Sequence, residues 1–440
     1  MLNTYIFDKS ARCPRKAWYL KEEKELISSR SDEWGFPMMP KNTEYNRVFK
    51  SPLGECIVDA VVTRDGVVEL YDFHPSVKYA KFFSSMNYKR VIAEASGETV
   101  RHASVISVNP EYLPGGCERP YVINRVPRQK TEKDFIRTIR KLYDATKSKK
   151  SPKAELGHCC AGCEFFEKCF RLPKDNIFKL VNLSFEKKME LYNAGIITFD
   201  DYLKNNPSPL CETQINGERG EVINKKEIKK FLNSLKKPLG FLDFETIMPI
   251  NPEFEGYRPN ERVVTQFSFH RKRGTRLTHC EYIGNGISCP EENLIRALIT
   301  AAGESGSILM YSPYERICIE TLIERFPEYK VALEKIKDRL VDLEYVFKNK
   351  LYYNKNMRGR SSLKIVVSAL FEGDKELNYS LGNIVDGADA AKAYSELKNM
   401  KKSERNEIKK QLLTYCGMDT LALVRIIEKL EKIVKKQDKE

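Results

Sequence analysis

The strongest constraint on this chain is a short run in its second half, Leu239-Gly240-Phe241-Leu242-Asp243-Phe244-Glu245, where two carboxylates interrupt residues that otherwise belong in a core. On an extended strand, residues two apart face the same side, so Asp243 and Glu245 project together. Two carboxylates held that close repel each other unless a cation lies between them. Hard oxygen donors in small number, with room left for water and phosphate, suit magnesium or manganese rather than zinc. The run therefore predicts a buried strand carrying a pair of acids that asks for a divalent cation.

A second acidic feature lies near the C-terminus, in Tyr415-Cys416-Gly417-Met418-Asp419. Tyr415 and Asp419 are four apart on an expected helix and so share one face. A tyrosine beside a metal-bound water can orient it or help activate it, while the aspartate completes the cage. A third position is Glu315, which follows Tyr311-Ser312-Pro313-Tyr314 just beyond an expected strand, at the end where open α/β sheets place ligands. Taken alone, Glu315 reads as a helix-start charge stabilised by the dipole. Taken in order, Asp243, Glu245, Glu315 and Asp419 are the acids that a phosphodiester-cleaving site with two Mg2+ or Mn2+ ions requires.

The 440 residues, 41% of them hydrophobic, allow two or three domains with ordinary cores. Lysine and arginine outnumber aspartate and glutamate by 75 to 61, and the formal charge of +14 favours a polyanionic partner, nucleic acid first. A generally lysine-rich proteome would give the same balance. No apolar run approaches the ~18 residues that span a bilayer, and Met1-Leu2-Asn3-Thr4-Tyr5 lacks the start of a signal peptide. The expectation is a cytoplasmic protein with no membrane contact. In a reducing compartment its twelve cysteines point away from a disulfide framework and towards metal or iron-sulfur ligation where they cluster.

Residues 1–180 read as one α/β unit. It holds a hairpin, Cys56 to Val62 and Val67 to Phe73 around Arg64-Asp65-Gly66, and a surface helix over 130–148. Residues 181–236 read as a helical connector with a loop at Asn205-Asn206-Pro207-Ser208-Pro209. From 237 on, strands at Leu239 to Phe244, Val263 to His270 and Ser307 to Tyr311, the later ones followed by helical patterns, imply a sheet with helices packed on it. The chain closes with an amphipathic helix from about Lys401 to Lys436, with a break expected near Gly417.

The ordered acids resemble the DEDD exonuclease superfamily, in the branch whose last motif is Tyr-x-x-x-Asp. Leu242-Asp243-Phe244-Glu245-Thr246, Gly256-Tyr257-Arg258-Pro259, Gln266-Phe267-Ser268-Phe269-His270, Tyr311-Ser312-Pro313-Tyr314-Glu315, Val341-Asp342-Leu343, Ser362-Leu363-Lys364 and Tyr415-Cys416-Gly417-Met418-Asp419-Thr420 look like an uncharacterised prokaryotic family. In it, a RecB-like nuclease region precedes an RNase H-like exonuclease domain with a mixed sheet and flanking helices. The resemblance implies that Asp243, Glu245, Glu315 and Asp419 ligate metals and that Tyr415 places the water. Glu315 stands where the superfamily usually has aspartate, and Asp342 either compensates for the longer side chain or caps a strand end. Lys364 would contact phosphate.

Cys160-Ala161-Gly162-Cys163 followed by Cys169 gives C-x2-C-x5-C, and the distant Cys13 would supply a fourth thiolate, enough for a [4Fe-4S] cluster or a structural zinc. With Pro14-Arg15-Lys16 and Trp18 after the lone cysteine, the pattern resembles iron-sulfur RecB-type PD-(D/E)xK nucleases, in which the cluster staples the two ends of the domain. That spacing favours Cys160 over Cys159. Such nucleases need an aspartate, then an acid and a lysine two apart on the next strand; the matching positions here are Asp59, Asp72 and His74, so the lysine is replaced. In Asn87-Tyr88-Lys89, Lys89 stands where the family usually shows glutamine. Two departures imply a degenerate nuclease site that binds but cuts poorly, His74 being either a residual base or ligand or a half-buried strand histidine.

Two readings follow. One is a metal-dependent 3′-5′ exonuclease acting on DNA or RNA, with an iron-sulfur-stapled N-terminal domain that grips the strand. The other is a non-catalytic iron-sulfur scaffold that binds nucleic acid through two degenerate nuclease folds.

Overall fold

Asp65 and Gly66 both adopt positive φ, 51° and 73°, the backbone of a two-residue hairpin turn whose twist matches that of its strands. They join β2 (Gly54–Arg64) to β3 (Val67–His74), as the sequence predicts. The structure, a computed structural model, describes residues 1–10, 12–23, 39–116, 119–205, 207–374, 376–377 and 384–435. Its contacts divide the chain into two compact units, Met1–Leu172 with Pro249–Glu261, and Pro173–Met248 with Arg262–Glu440. Both are mixed α/β. Among the described residues no helix is long and apolar enough to cross a membrane.

In the first unit β1 (Thr43–Ser51), β2, β3, β4 (Val100–Val108) and β5 (Tyr121–Arg125) lie side by side in chain order. All neighbours are antiparallel except β3 and β4, and that parallel pair needs the crossover supplied by the Phe83–Ala95 helix. Met86, Tyr88 and Ile92 from this helix pack with Val58, Leu70 and Val105 of the sheet and with Phe135, Ile139 and Leu142 of the Glu132–Lys147 helix. The second helix fills the 130–148 window read from sequence.

The second unit opens with short helices over 185–219, which have their own small core around Ile177, Leu191, Phe199 and Ile215, while Ile228 and Phe231 of the Lys225–Ser234 helix pack with Leu239 and Phe241. The segment expected as a connector groups with this unit. The loop expected at 205–209 includes Asn206, which lies outside the described residues, as does Lys436 at the expected end of the last helix. β6 (Glu221–Ile223) pairs with β12 (Tyr352–Asn354). The main sheet has the order β11-β10-β7-β8-β9. There β7 (Leu239–Ile247), β8 (Val263–Arg273) and β9 (Arg276–Ile283) form an antiparallel meander, while β10 (Ile308–Met310) and β11 (Leu340–Asp342) run parallel to β7.

Strand β7 is central and covered on both faces, which is why its sequence is apolar apart from Asp243, Glu245 and Thr246. Leu242 and Phe244 pack on one side with Leu294, Leu298, Ile319 and Leu322. Leu239 and Phe241 pack on the other with Leu423, Ile426 and Ile427 of the last helix. By the two-residue period, Asp243 and Glu245 share the second face and look at that helix. The last helix, Lys402–Lys435, runs 34 residues without the break expected at Gly417. An interior glycine costs a helix only about 1 kcal/mol. Leu412, Tyr415, Cys416, Leu423, Ile426 and Leu430 are all buried along it, and their burial outweighs that cost.

Candidate metal centre

The acids converge at the end of β7. One ligand oxygen from each of Asp243, Glu245 and Asp419 lies within 4.8 Å of the others, the one such cluster of three acidic, histidine or cysteine ligands among the described residues. A register shift in the β7–β8 ladder falls directly after Glu245 and turns the strand away beyond the acids. They line a cavity of about 630 Å³ shared with Tyr311, Tyr314, Glu315, Lys364 and Tyr415. Its far wall is the start of the Gly387–Glu396 helix, where Gly387, Ala388 and Ala391 leave room beside Glu245.

Glu315 is the second residue of the Tyr314–Arg325 helix, which starts just beyond β10. It is 3% exposed, and its Oε2 has no hydrogen-bond partner among the described residues. A buried orphan oxygen on a carboxyl is costly, and here it faces a cavity that already holds three acids. Asp342 takes the capping alternative: its Oδ1 accepts from the backbone N–H of Ser312 at 3.0 Å and of Glu344 at 2.9 Å. The loop it pins contains Ser312 at φ 78°, a left-handed conformation for a non-glycine residue beside the acids.

The electrostatics follow from crowding. Burial raises the Asp243 carboxyl well above its ordinary range, and Asp419, Glu315 and Glu245 add to that. Burial, then Asp419, pushes Glu245 up to about 8, with the Lys364 ammonium pulling the other way. Glu315 is likewise pushed to about 8, by burial first and by Asp342, Asp419 and Glu245 among the charges. Carboxyls that hold protons near neutrality because they face one another are what a divalent cation would relieve. The donor set is all oxygen, so it fits Mg2+ or Mn2+.

Tyr415 and Asp419 stand one turn apart on the last helix and both reach this cavity. Burial and the three acids raise the Tyr415 phenol far above its ordinary value, so it is a neutral O–H group. Lys364 Nζ donates to its oxygen at 3.1 Å, lies 5.0 Å from its ring centre, and also donates to the Val385 carbonyl.

The next arc of the helix is anchored to the sheet by polar contacts that the motifs did not disclose. Thr420 Oγ1 donates its single proton to Gly417 O at 3.1 Å. The remaining protons are then fixed: Ser268 donates to Thr420 at 2.7 Å, His270 Nδ1 to Thr420 at 2.8 Å, and His279 Nε2 to Ser268 at 2.8 Å. Burial and His279 hold His270 down at about 4, so it is neutral. Gln266 Nε2 donates to Leu412 O at 2.9 Å, and Cys416 Sγ lies 3.2 Å from Asp243 Oδ2. Burial, and then Asp243, push the Cys416 thiol well above its ordinary value, so it acts as an S–H donor.

The N-terminal acids are differently occupied. Asp59 Oδ2 accepts from Phe73 N–H at 2.8 Å, and Asp72 Oδ1 accepts from Asp59 N–H at 3.3 Å. Asp72 Oδ2 pairs with Lys89 Nζ at 2.8 Å, both groups being buried. The His74 ring stacks on Phe82. Asp8, which sequence reasoning missed, joins this neighbourhood: burial raises its carboxyl, Ser85 donates to it, and Lys89 and Asp72 act on it electrostatically.

Among the cysteines, Cys159 meets Cys13 and Cys160, and burial followed by those two thiols pushes it to about 12. Cys160 is buried, with Sγ 3.6 Å from Glu155 O. Cys163 lies within electrostatic reach of Cys160, and Cys169 within reach of Arg15. Among the described residues no three of these sulfurs come within 4.8 Å of one another, wider than a single zinc ion with Zn–S bonds near 2.3 Å would hold them.

Residues 240–362 match the model of a family described as Domain of unknown function (DUF2779). An uncharacterized protein of Mycoplasma genitalium, MG366, is 27% identical over 243 residues, 51% of this chain. The match spans 36% of that relative's length. No solved structure matches the chain.

Proposed function

We propose that the second unit is a divalent-metal-dependent 3′-5′ exonuclease of the RNase H-like, DEDD type. The observation that carries this reading is the convergence of Asp243, Glu245 and Asp419 within 4.8 Å, beside the orphan oxygen of Glu315. Support also comes from the fold: a mixed five-stranded sheet with flanking helices, whose central strand carries the first two acids. When bound, a pair of divalent cations would supply the Lewis acidity that activates water and stabilises the leaving oxygen.

The chain's own groups have definable tasks. Asp243, Glu245 and Asp419 would hold the cations, with Glu315 supplying the fourth carboxylate. Tyr415, protonated across the physiological range, is a hydrogen-bond donor that orients a water rather than a base that deprotonates it. Lys364 fixes the phenol and places a positive charge near Glu245, where a scissile phosphate would approach. A cavity of about 630 Å³ has the size of small-ligand sites, which suits one terminal nucleotide better than a duplex.

For the first unit we propose a RecB-like domain that binds without cutting, because Lys89 neutralises Asp72 and the backbone occupies Asp59. Cys13, Cys160, Cys163 and Cys169 remain its proposed iron-sulfur ligands, with Cys159 now in contact with Cys13. The excess of positive charge suits a nucleic-acid partner.

The test is a strand-polarity assay. DNA and RNA single strands labelled at either end are incubated with Mn2+ and wild-type or Asp243→Ala protein. Stepwise loss of the 3′ label by wild type alone supports the proposal. No cleavage, with equal strand binding by both proteins, favours the scaffold. Cleavage that survives Asp243→Ala and is lost in Asp72→Ala would transfer the activity to the first unit.

A further inference from the structure

On a helix each residue advances by about 100°, so Tyr415, Asp419, Cys416 and Thr420 succeed one another around one side of the last helix. The first two face the cavity. Thr420 faces β8 and is held there by Ser268 and His270. Cys416 lies between, fully buried, with its sulfur 3.2 Å from Asp243 Oδ2 and 3.7 Å from Asp243 O. Among the described residues this thiol is the hydrogen-bond donor to the Asp243 carboxylate.

We infer that Cys416 is a positioning residue for the metal centre: its S–H group holds Asp243 Oδ2 against the helix and so presents the other oxygen to the cavity. The inference rests on the proposed metal reading of this cavity. Asp243 stands among like charges, with ligand oxygens of Glu245 and Asp419 within 4.8 Å and Glu315 on the same cavity. A carboxylate among like charges swings away from them unless something holds it. A donor to one oxygen fixes the plane of the carboxylate, as partners behind metal ligands do elsewhere. Asp419 and Cys416 are three residues apart on a shared helix, so one rigid element sets both a ligand and the group that aims another.

The packing around Cys416 explains why a thiol suits this place. The site lies between β7 and the last helix, where Leu412, Leu423 and Phe241 are fully or almost fully buried. A thiol packs as a small apolar group and still donates, whereas a larger polar side chain would bring unsatisfied atoms into the core.

The experiment measures Mn2+ binding to the full-length protein by titration calorimetry and by the EPR signal of free Mn2+, without substrate. Cys416→Ala is expected to weaken binding by about tenfold, the lower end of what loss of such partners costs. Cys416→Ser, which keeps a donor, is expected to recover most of that loss, and Cys416→Val, which fills the space without a donor, to behave like alanine. Thermal unfolding in EDTA identifies any variant that fails to fold. Equal affinity in wild type and Cys416→Val, or serine as poor as alanine, would overturn the positioning role and leave the metal reading intact. Absence of Mn2+ binding to the wild type would overturn both.

Discussion

Replacing Asp243 with asparagine should stabilise the metal-free protein, and the size of the gain can be worked from the geometry. Three carboxylates lie within 4.8 Å of one another. At an effective dielectric constant of about 20, each ionised pair at that separation costs about 3 kcal/mol. The native state escapes part of this by keeping protons: Glu245 and Glu315 are pushed to about 8 and Asp243 is raised as well. Between the ordinary carboxylate range and pH 8 the native state therefore binds more protons than the unfolded chain. The share of stability these acids control is fully present below the ordinary carboxylate range and is lost as pH rises through about 8. The Asp243→Asn substitution would keep the shape and remove one charge, a relief of roughly 2 kcal/mol after proton sharing. For a unit of this size that raises the unfolding midpoint by about 4–8 °C at pH 8.5, with little change at pH 5. Scanning calorimetry of the full-length protein in EDTA measures both. Added Mn2+ should reverse the order, because only the wild type gains by binding. A lower midpoint for Asp243→Asn at pH 8.5 in EDTA, or a wild-type midpoint flat from pH 6 to 8.5, would refute the crowding argument.

Three further outcomes are expected. Tyr415→Phe should lower exonuclease turnover by on the order of 100-fold while leaving Mn2+ affinity within about twofold, since the phenol donates to water and not to the ions. Lys89→Met leaves Asp72 charged in the core and should destabilise the first unit by about 3–5 kcal/mol, read as lost protease resistance; adding Asp72→Asn should restore it. Protein purified without oxygen should be brown and contain iron and labile sulfide, both lost in Cys163→Ser; colourless protein containing zinc would reject the cluster.

The part of the site that could be read from sequence was the part written in local periodicity. Alternation along β7 put Asp243 and Glu245 on one face, and four-residue spacing put Tyr415 and Asp419 on another. Glu315 was placed by its position after a strand. What escaped notice depends on partners far apart in the chain. Cys416 reaches Asp243 across 173 residues, and Lys89 meets Asp72 because the Phe83–Ala95 helix folds back over the sheet. Neither pairing carries a local signal, although both side chains lie within motifs. The edge strands β1, β5 and β9 were missed because they are exposed and polar on much of their length and lack the apolar run that marked β7. The expected break at Gly417 came from helix propensity alone, and buried contacts on both sides of that glycine overrode it.

The central claim is that the acids of the second unit hold divalent cations, and counting those ions tests it most directly. Equilibrium dialysis of the full-length protein against Mn2+ should give two tightly held ions that disappear together in an Asp243→Ala, Asp419→Ala double variant with an unchanged fold. Undiminished Mn2+ binding by that variant, or no stoichiometric binding by the wild type, would contradict the account.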